Sequence, residues 1–137
     1  METQHVKLDF SREFVGKLQT KLGEFSVGGN KGDLLPYDMV LGALGACYYA
    51  TFLGIAEKMR LEYESVDFDI QGVKRAEVPT TLETVELKLD FYGVAPQQEN
   101  KFARAVDLAG KYCSVHETIA QVAMVTTTFE LHSSSKA

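Results

Sequence analysis

Pro36-Tyr37-Asp38-Met39-Val40-Leu41-Gly42-Ala43-Leu44-Gly45-Ala46-Cys47-Tyr48-Tyr49-Ala50-Thr51-Phe52-Leu53-Gly54-Ile55-Ala56 carries no charge after Asp38. A surface helix shows a polar face at every turn, so a helix apolar on all sides has to be enclosed by other structure or by lipid. Pro36 suits the first helical turn, where its missing N–H would have no partner, and Asp38 complements the positive end of the helix dipole. Small residues recur at every fourth position, Gly42, Ala46, Ala50 and Gly54, beside a row of Ala43, Cys47 and Thr51. Such a stripe lets another backbone approach closely. Glu57, Lys58 and Arg60 then bring the helix to solvent. The uncharged run lies at the lower edge of membrane-spanning length, roughly 17–25 residues. The flanking sequence alternates as soluble strands do, so a buried central helix is expected rather than a span.

Before this helix, Val6, Leu8 and Phe10 alternate with polar residues, and Phe14, Val15, Leu18, Leu22, Phe25 and Val27 form a second apolar set. Two or three short antiparallel strands follow from this, broken near Ser11-Arg12 and Leu22-Gly23. Gly28-Gly29-Asn30-Lys31-Gly32-Asp33 is the strongest turn signal in the chain and matches no phosphate-binding motif. After the helix, Val66, Phe68 and Ile70, then Val85, Leu87, Leu89 and Phe91, recur with period two, which predicts half-buried antiparallel strands joined through Glu77–Thr80. Pro96 to Tyr112 returns to helical spacing, with Phe102, Val106, Ala109 and Cys113 on its apolar face. Ser114-Val115-His116-Glu117 fits a capping box and predicts a new helix starting at Ser114. Val122 to Leu131 reads as a last strand, and Ser133 to Ala137 as a frayed tail. The expected fold is α+β, a single domain over 1–137 with antiparallel strands wrapped around a long buried helix plus a second helix.

At 137 residues the chain is long enough for one real core, and its 45% apolar and 24% charged residues are those of a globular protein. A net charge of −5 with scattered Lys and Arg argues against nucleic acid or an anionic membrane as partner. Met1–His5 lacks a secretory profile, so a reducing cytoplasm is expected and disulfide staples are not. The two cysteines form neither a zinc pattern nor a CxxC motif. His5 and His132 read as surface strand residues, and no further ligand completes a metal site around Cys113 and His116, so no metal or cofactor is expected. No G-x-S-x-G supports a serine hydrolase.

The thiols remain. Cys113, just before a helix start, lies near unpaired N–H donors that would lower its pKa; it is either a poised thiolate or the end of a buried stripe. Cys47, mid-helix among apolar residues, would have its pKa raised by burial. Both occupy apolar helix faces that must find the same core, and paired thiols in a cytoplasmic protein are more often catalytic or redox-sensing than structural.

Gly28-Gly29-Asn30-Lys31-Gly32, followed by Pro36-Tyr37-Asp38 through Cys47, resembles the signature of the OsmC/Ohr family of osmotically induced and organic hydroperoxide resistance proteins. Tyr112-Cys113-Ser114-Val115 resembles its second cysteine motif, and the order of elements matches over nearly the whole chain. The resemblance implies an intertwined homodimer with its long helices buried against each other and active sites at the subunit interface. It also implies a thiol peroxidase, with Cys47 as the peroxidatic thiolate, Cys113 as the resolving cysteine, and an external thiol as reductant. In the hydroperoxide resistance branch a Glu follows the motif proline and pairs with an activating Arg. Here that place is Tyr37, with Asp38 next and Arg12 as the candidate arginine, so the chain is more similar to the OsmC-like branch. Two other classes are compatible with the residues: a non-catalytic dimer binding a small apolar ligand or sensing redox state, and a thioesterase using Asp38.

Overall fold

In the computed structural model, which describes residues 1–137, the apolar stretch forms one continuous helix, α1, Pro36–Met59. It ends in a Schellman turn. Arg60 takes a left-handed conformation (φ 55°), its N–H donates to Glu57 O at 3.2 Å, and Leu61 N–H reaches back to Ala56 O at 2.9 Å. The chain divides into two compact units, Met1–Val40 and Leu41–Ala137.

The first unit is a meander of β1 (Lys7–Phe10), β2 (Val15–Thr20) and β3 (Gly23–Gly28) in the order β1-β2-β3. Both breaks fall where the apolar pattern places them. Register sets Leu8, Leu18 and Phe25 in one row and Phe10, Gly16 and Val27 in the next. Alternation puts these on one face, with Lys7, Asp9, Lys17, Gln19, Glu24 and Ser26 on the other. A Cβ on Gly16 would stand 2.6 Å from the Phe10 ring, so only glycine lets that ring lie across the neighbouring strand. The apolar face is largely bare: Leu8, Phe10, Phe14 and Phe25 keep 48–51% of their surface exposed.

The second unit holds a sheet of order β4-β5-β6, where β4 is Ser65–Lys74, β5 Leu82–Tyr92 and β6 Met124–His132. The central strand β5 buries Val85, Leu87, Leu89 and Phe91, the residues that the period-two pattern selects. β4 and β5 pair antiparallel, closed by Arg75 Nε donating to Pro79 O at 2.8 Å. β6 departs from the antiparallel expectation and pairs parallel to β5. The cause is the connection: α2 (Glu99–Tyr112) and α3 (Ser114–Ala120) carry the chain back along the sheet, and parallel neighbours need such a crossover. The α+β class stands.

The core of this unit lies between the sheet, α2 and one stripe of α1. Leu44, Tyr48, Phe52 and Ala56, at four-residue spacing, are the buried residues of α1. Phe52 meets Phe91 at 5.1 Å between ring centroids, and Phe91 meets Phe102 of α2 at 4.9 Å. Burying a Phe or Leu side chain contributes about 1.5–3 kcal/mol, so this cluster anchors α1 and α2 to the sheet. Within one chain α1 is thus enclosed along a single stripe, not all round, and Gly42, Ala46, Ala50 and Gly54 are all exposed.

The C-terminal residues are pinned rather than frayed. Gly93, at φ 72°, donates its N–H to Ser134 O at 3.0 Å, Ser135 Oγ donates to Glu64, and Lys136 pairs with Asp67 at 2.6 Å. A side chain on Gly93 would collide with Glu64, 2.5 Å from the Cβ position. The run of serines concealed these anchors, which lie on β4, on Glu64 just before it and in the turn after β5.

Candidate active site

Cys113 sits at a corner. Its N–H closes α2 on Ala109 O at 3.0 Å, its backbone turns extended (φ −75°, ψ 117°), and its carbonyl then accepts the Glu117 N–H at 3.0 Å. Its sulfur accepts the His116 N–H at 3.4 Å, so Cys113 itself is the N-cap of α3. The helix starts at Ser114 as the sequence predicts, but the S-x-x-E capping box does not form. Ser114 Oγ instead lies 3.8 Å from the sulfur of Cys47.

That contact brings the two cysteines together. Cys47, half-buried on α1, faces the first turn of α3, and its pKa is lowered chiefly by the Val115 N–H. Partial burial opposes this, while the Cys113 thiol and the side chain and N–H of Ser114 add to the lowering. Unpaired amides at a helix start carry partial positive charge and favour a thiolate. Cys113 is fully buried, and burial pushes its thiol pKa up, which keeps it protonated and able to donate to Cys47. The residue-by-residue expectation is therefore reversed. Amides of α3 reach both sulfurs, but at Cys47 they outweigh partial burial, whereas at Cys113 the stronger effect of burial outweighs the His116 and Val115 N–H groups.

Neighbouring residues hold this geometry. Tyr48 donates its hydroxyl to Val106 O of α2 at 2.7 Å from a fully buried position, which locks α1 against the helix that ends in Cys113. Thr51 Oγ1 returns a bond to Cys47 O at 3.0 Å. Arg12, in the turn after β1, and Asp38, in the first turn of α1, belong to the N-terminal unit, and both side chains are exposed without a hydrogen bond or ion pair. Ser114 and Val115 were within reach of sequence reasoning, since the helix start was visible. Their direction was not. A groove of 610 Å³ lies between α2, α3 and β6, lined by Asp107, Lys111, His116, Val125 and Phe129 among others, and neither cysteine lines it.

An α+β chain with paired thiols where one helix ends and another begins defines a class of thiol-bearing proteins suited to redox chemistry. The family model for OsmC-like proteins matches residues 28–128, and this chain belongs to that family. It is 31% identical to protein YhfA of Escherichia coli K12, over 82% of this chain and 90% of that protein. A hypothetical protein of Aquifex aeolicus has the same fold, with a TM-score of 0.80 at 28% identity, covering 96% of this chain and 98% of its own. The organic hydroperoxide resistance protein OhrB of Bacillus subtilis shares the fold at 15% identity and a TM-score of 0.69, over 94% of this chain and 98% of its own.

Proposed function

We propose that this protein is a cysteine-based thiol peroxidase acting on organic or hydrogen peroxides. The observation that carries the reading is the sulfur of Cys47 held against the first amides of α3 with the Cys113 thiol beside it. The Cys47 thiolate attacks the terminal hydroxyl oxygen of the peroxide, its electron pair forming the S–O bond as the O–O bond breaks, and the departing alkoxide or hydroxide takes a proton from solvent to leave as alcohol or water. Cys47 becomes a sulfenic acid. The Cys113 sulfur then displaces hydroxide from it, water leaves, and a Cys47–Cys113 disulfide remains. An external thiol reductant restores both thiols by exchange, through a mixed disulfide. Stoichiometric peroxide added to the reduced protein should yield the Cys47–Cys113 crosslink by mass spectrometry, and Cys47→Ser should consume no peroxide. Absence of oxidation at Cys47 would overturn the proposal.

The working unit in this reading is a homodimer, placed in the cytoplasm. Two observations support the second copy: the bare apolar face of the first sheet, and the exposed small-residue face of α1. By length and composition α1 could also cross a membrane. The proposal gives its bare faces to a second copy instead, and sedimentation of the detergent-free protein separates the two.

A second reading, a non-catalytic small-ligand binder or redox sensor, is favoured by two features. Cys47 has peptide amides and neutral side chains as partners but no charged one. A mostly apolar groove of 590 Å³, lined by Gly42, Gly45, Tyr49, Val66, Phe68 and Ile70 among others, runs between α1 and β4. Thiol titration discriminates, because two midpoints at or above the roughly 8.5 of free cysteine would favour this reading.

A further inference from the structure

The outward face of the second sheet gathers charges that the thiols do not use. Asp90 of β5 and Glu130 of β6 are register partners, followed on the same face by the pair Tyr92 and His132. Carboxylates directly opposite each other on adjacent strands repel. Neither carboxylate has a Lys or Arg ion pair: Lys136 is held by Asp67, the register partner of Asp90 on β4, and Lys88 lies 3.9 Å from Glu86. What faces the two carboxylates is His132, whose Nε2 lies 2.8 Å from Asp90 Oδ1 and 4.0 Å from Glu130 Oε2. Its ring is stacked flat on Tyr92, with centroids 4.7 Å apart, and its carbonyl accepts the Val94 N–H at 3.0 Å. One nitrogen and two carboxylate oxygens thus converge within 4.8 Å of one another on two hydrogen-bonded strands.

We propose that Asp90, Glu130 and His132 bind a divalent transition-metal ion of the zinc class, with His132 Nε2 and one oxygen from each acid as ligands and water completing the shell. Bonds of about 2.0–2.2 Å require donors roughly 3–3.5 Å apart. Asp90 and His132 already stand near that spacing, and Glu130, the most exposed of the three, needs to move its carboxylate by only about 1 Å. Imidazole with two carboxylates suits zinc, nickel or cobalt, whereas calcium takes six to eight oxygens. A dication cancels the two facing negative charges and ties the last strand to the centre of the sheet. Sequence spacing hides the site because Asp90 and His132 are 42 positions apart and meet only through strand pairing.

The test is calorimetric titration of Zn²⁺ into the full-length Cys47→Ser/Cys113→Ser protein, which removes competing thiolates. One zinc per chain is expected, with His132→Gln and Asp90→Asn each weakening binding about tenfold or more. Co²⁺ added to the unsubstituted protein should give a spectrum without a thiolate charge-transfer band, which guards against misfolding of the double variant. Zinc should raise the melting temperature of the parent and not of His132→Gln. The proposal fails if no stoichiometric binding occurs, if His132→Gln binds zinc as the parent does, or if binding follows His5 or His116 instead.

Discussion

At Cys47 the useful part of α3 is its first turn, where the Val115 N–H, the Ser114 N–H and the Ser114 hydroxyl all bear on one sulfur. Each favours the thiolate, so proton loss is easier than in a free thiol. Alkylation of Cys47 followed against pH should rise with a midpoint below the roughly 8.5 of free cysteine. Cys113→Ala removes one donor while leaving the Val115 amide, and it should move that midpoint upward. Cys113, fully buried with a raised pKa, should react only at higher pH and more slowly. The two thiols and the helix start at Ser114 were legible in the sequence. At which sulfur the amides outweigh burial was not, because that balance depends on how deeply each thiol is packed, which only the tertiary fold sets.

At the scale of elements, α1 shows how far periodicity reaches. An uncharged run gives no contrast by which to choose a face, and the four-residue spacing of Leu44, Tyr48, Phe52 and Ala56 became visible as the buried stripe only when β5 and α2 were laid against it. Phe52→Ala should cost about 3–5 kcal/mol, read from denaturant unfolding, because it empties the centre of the aromatic cluster. Gly54→Leu separates helix stability from assembly. No atom lies within 4 Å of a Cβ built on Gly54, so a single chain accommodates the change and gains about 0.5–0.8 kcal/mol of helix propensity. If α1 packs on a second copy, the same variant should sediment as a monomer. β5 was readable because its alternation is complete. The parallel placement of β6 was not, since alternation says which face a strand buries and nothing about the direction of its neighbour.

For the whole molecule, exposure is the informative quantity. A net charge of −5 favours solubility, while several half-exposed aromatic and aliphatic side chains leave one face of the first sheet uncovered in the single chain. A folded state that requires a second copy gains stability by mass action, so the melting temperature should rise with protein concentration. A melting temperature independent of concentration would sink the homodimer. The amides that lower the Cys47 pKa also have a temporal consequence. They belong to a helix synthesised well after Cys47, and α3 packs against β6, which follows it in the chain. A chain in which α3 has not yet formed lacks these donors around Cys47, so the rate of Cys47 alkylation during refolding should serve as a clock for the docking of α3.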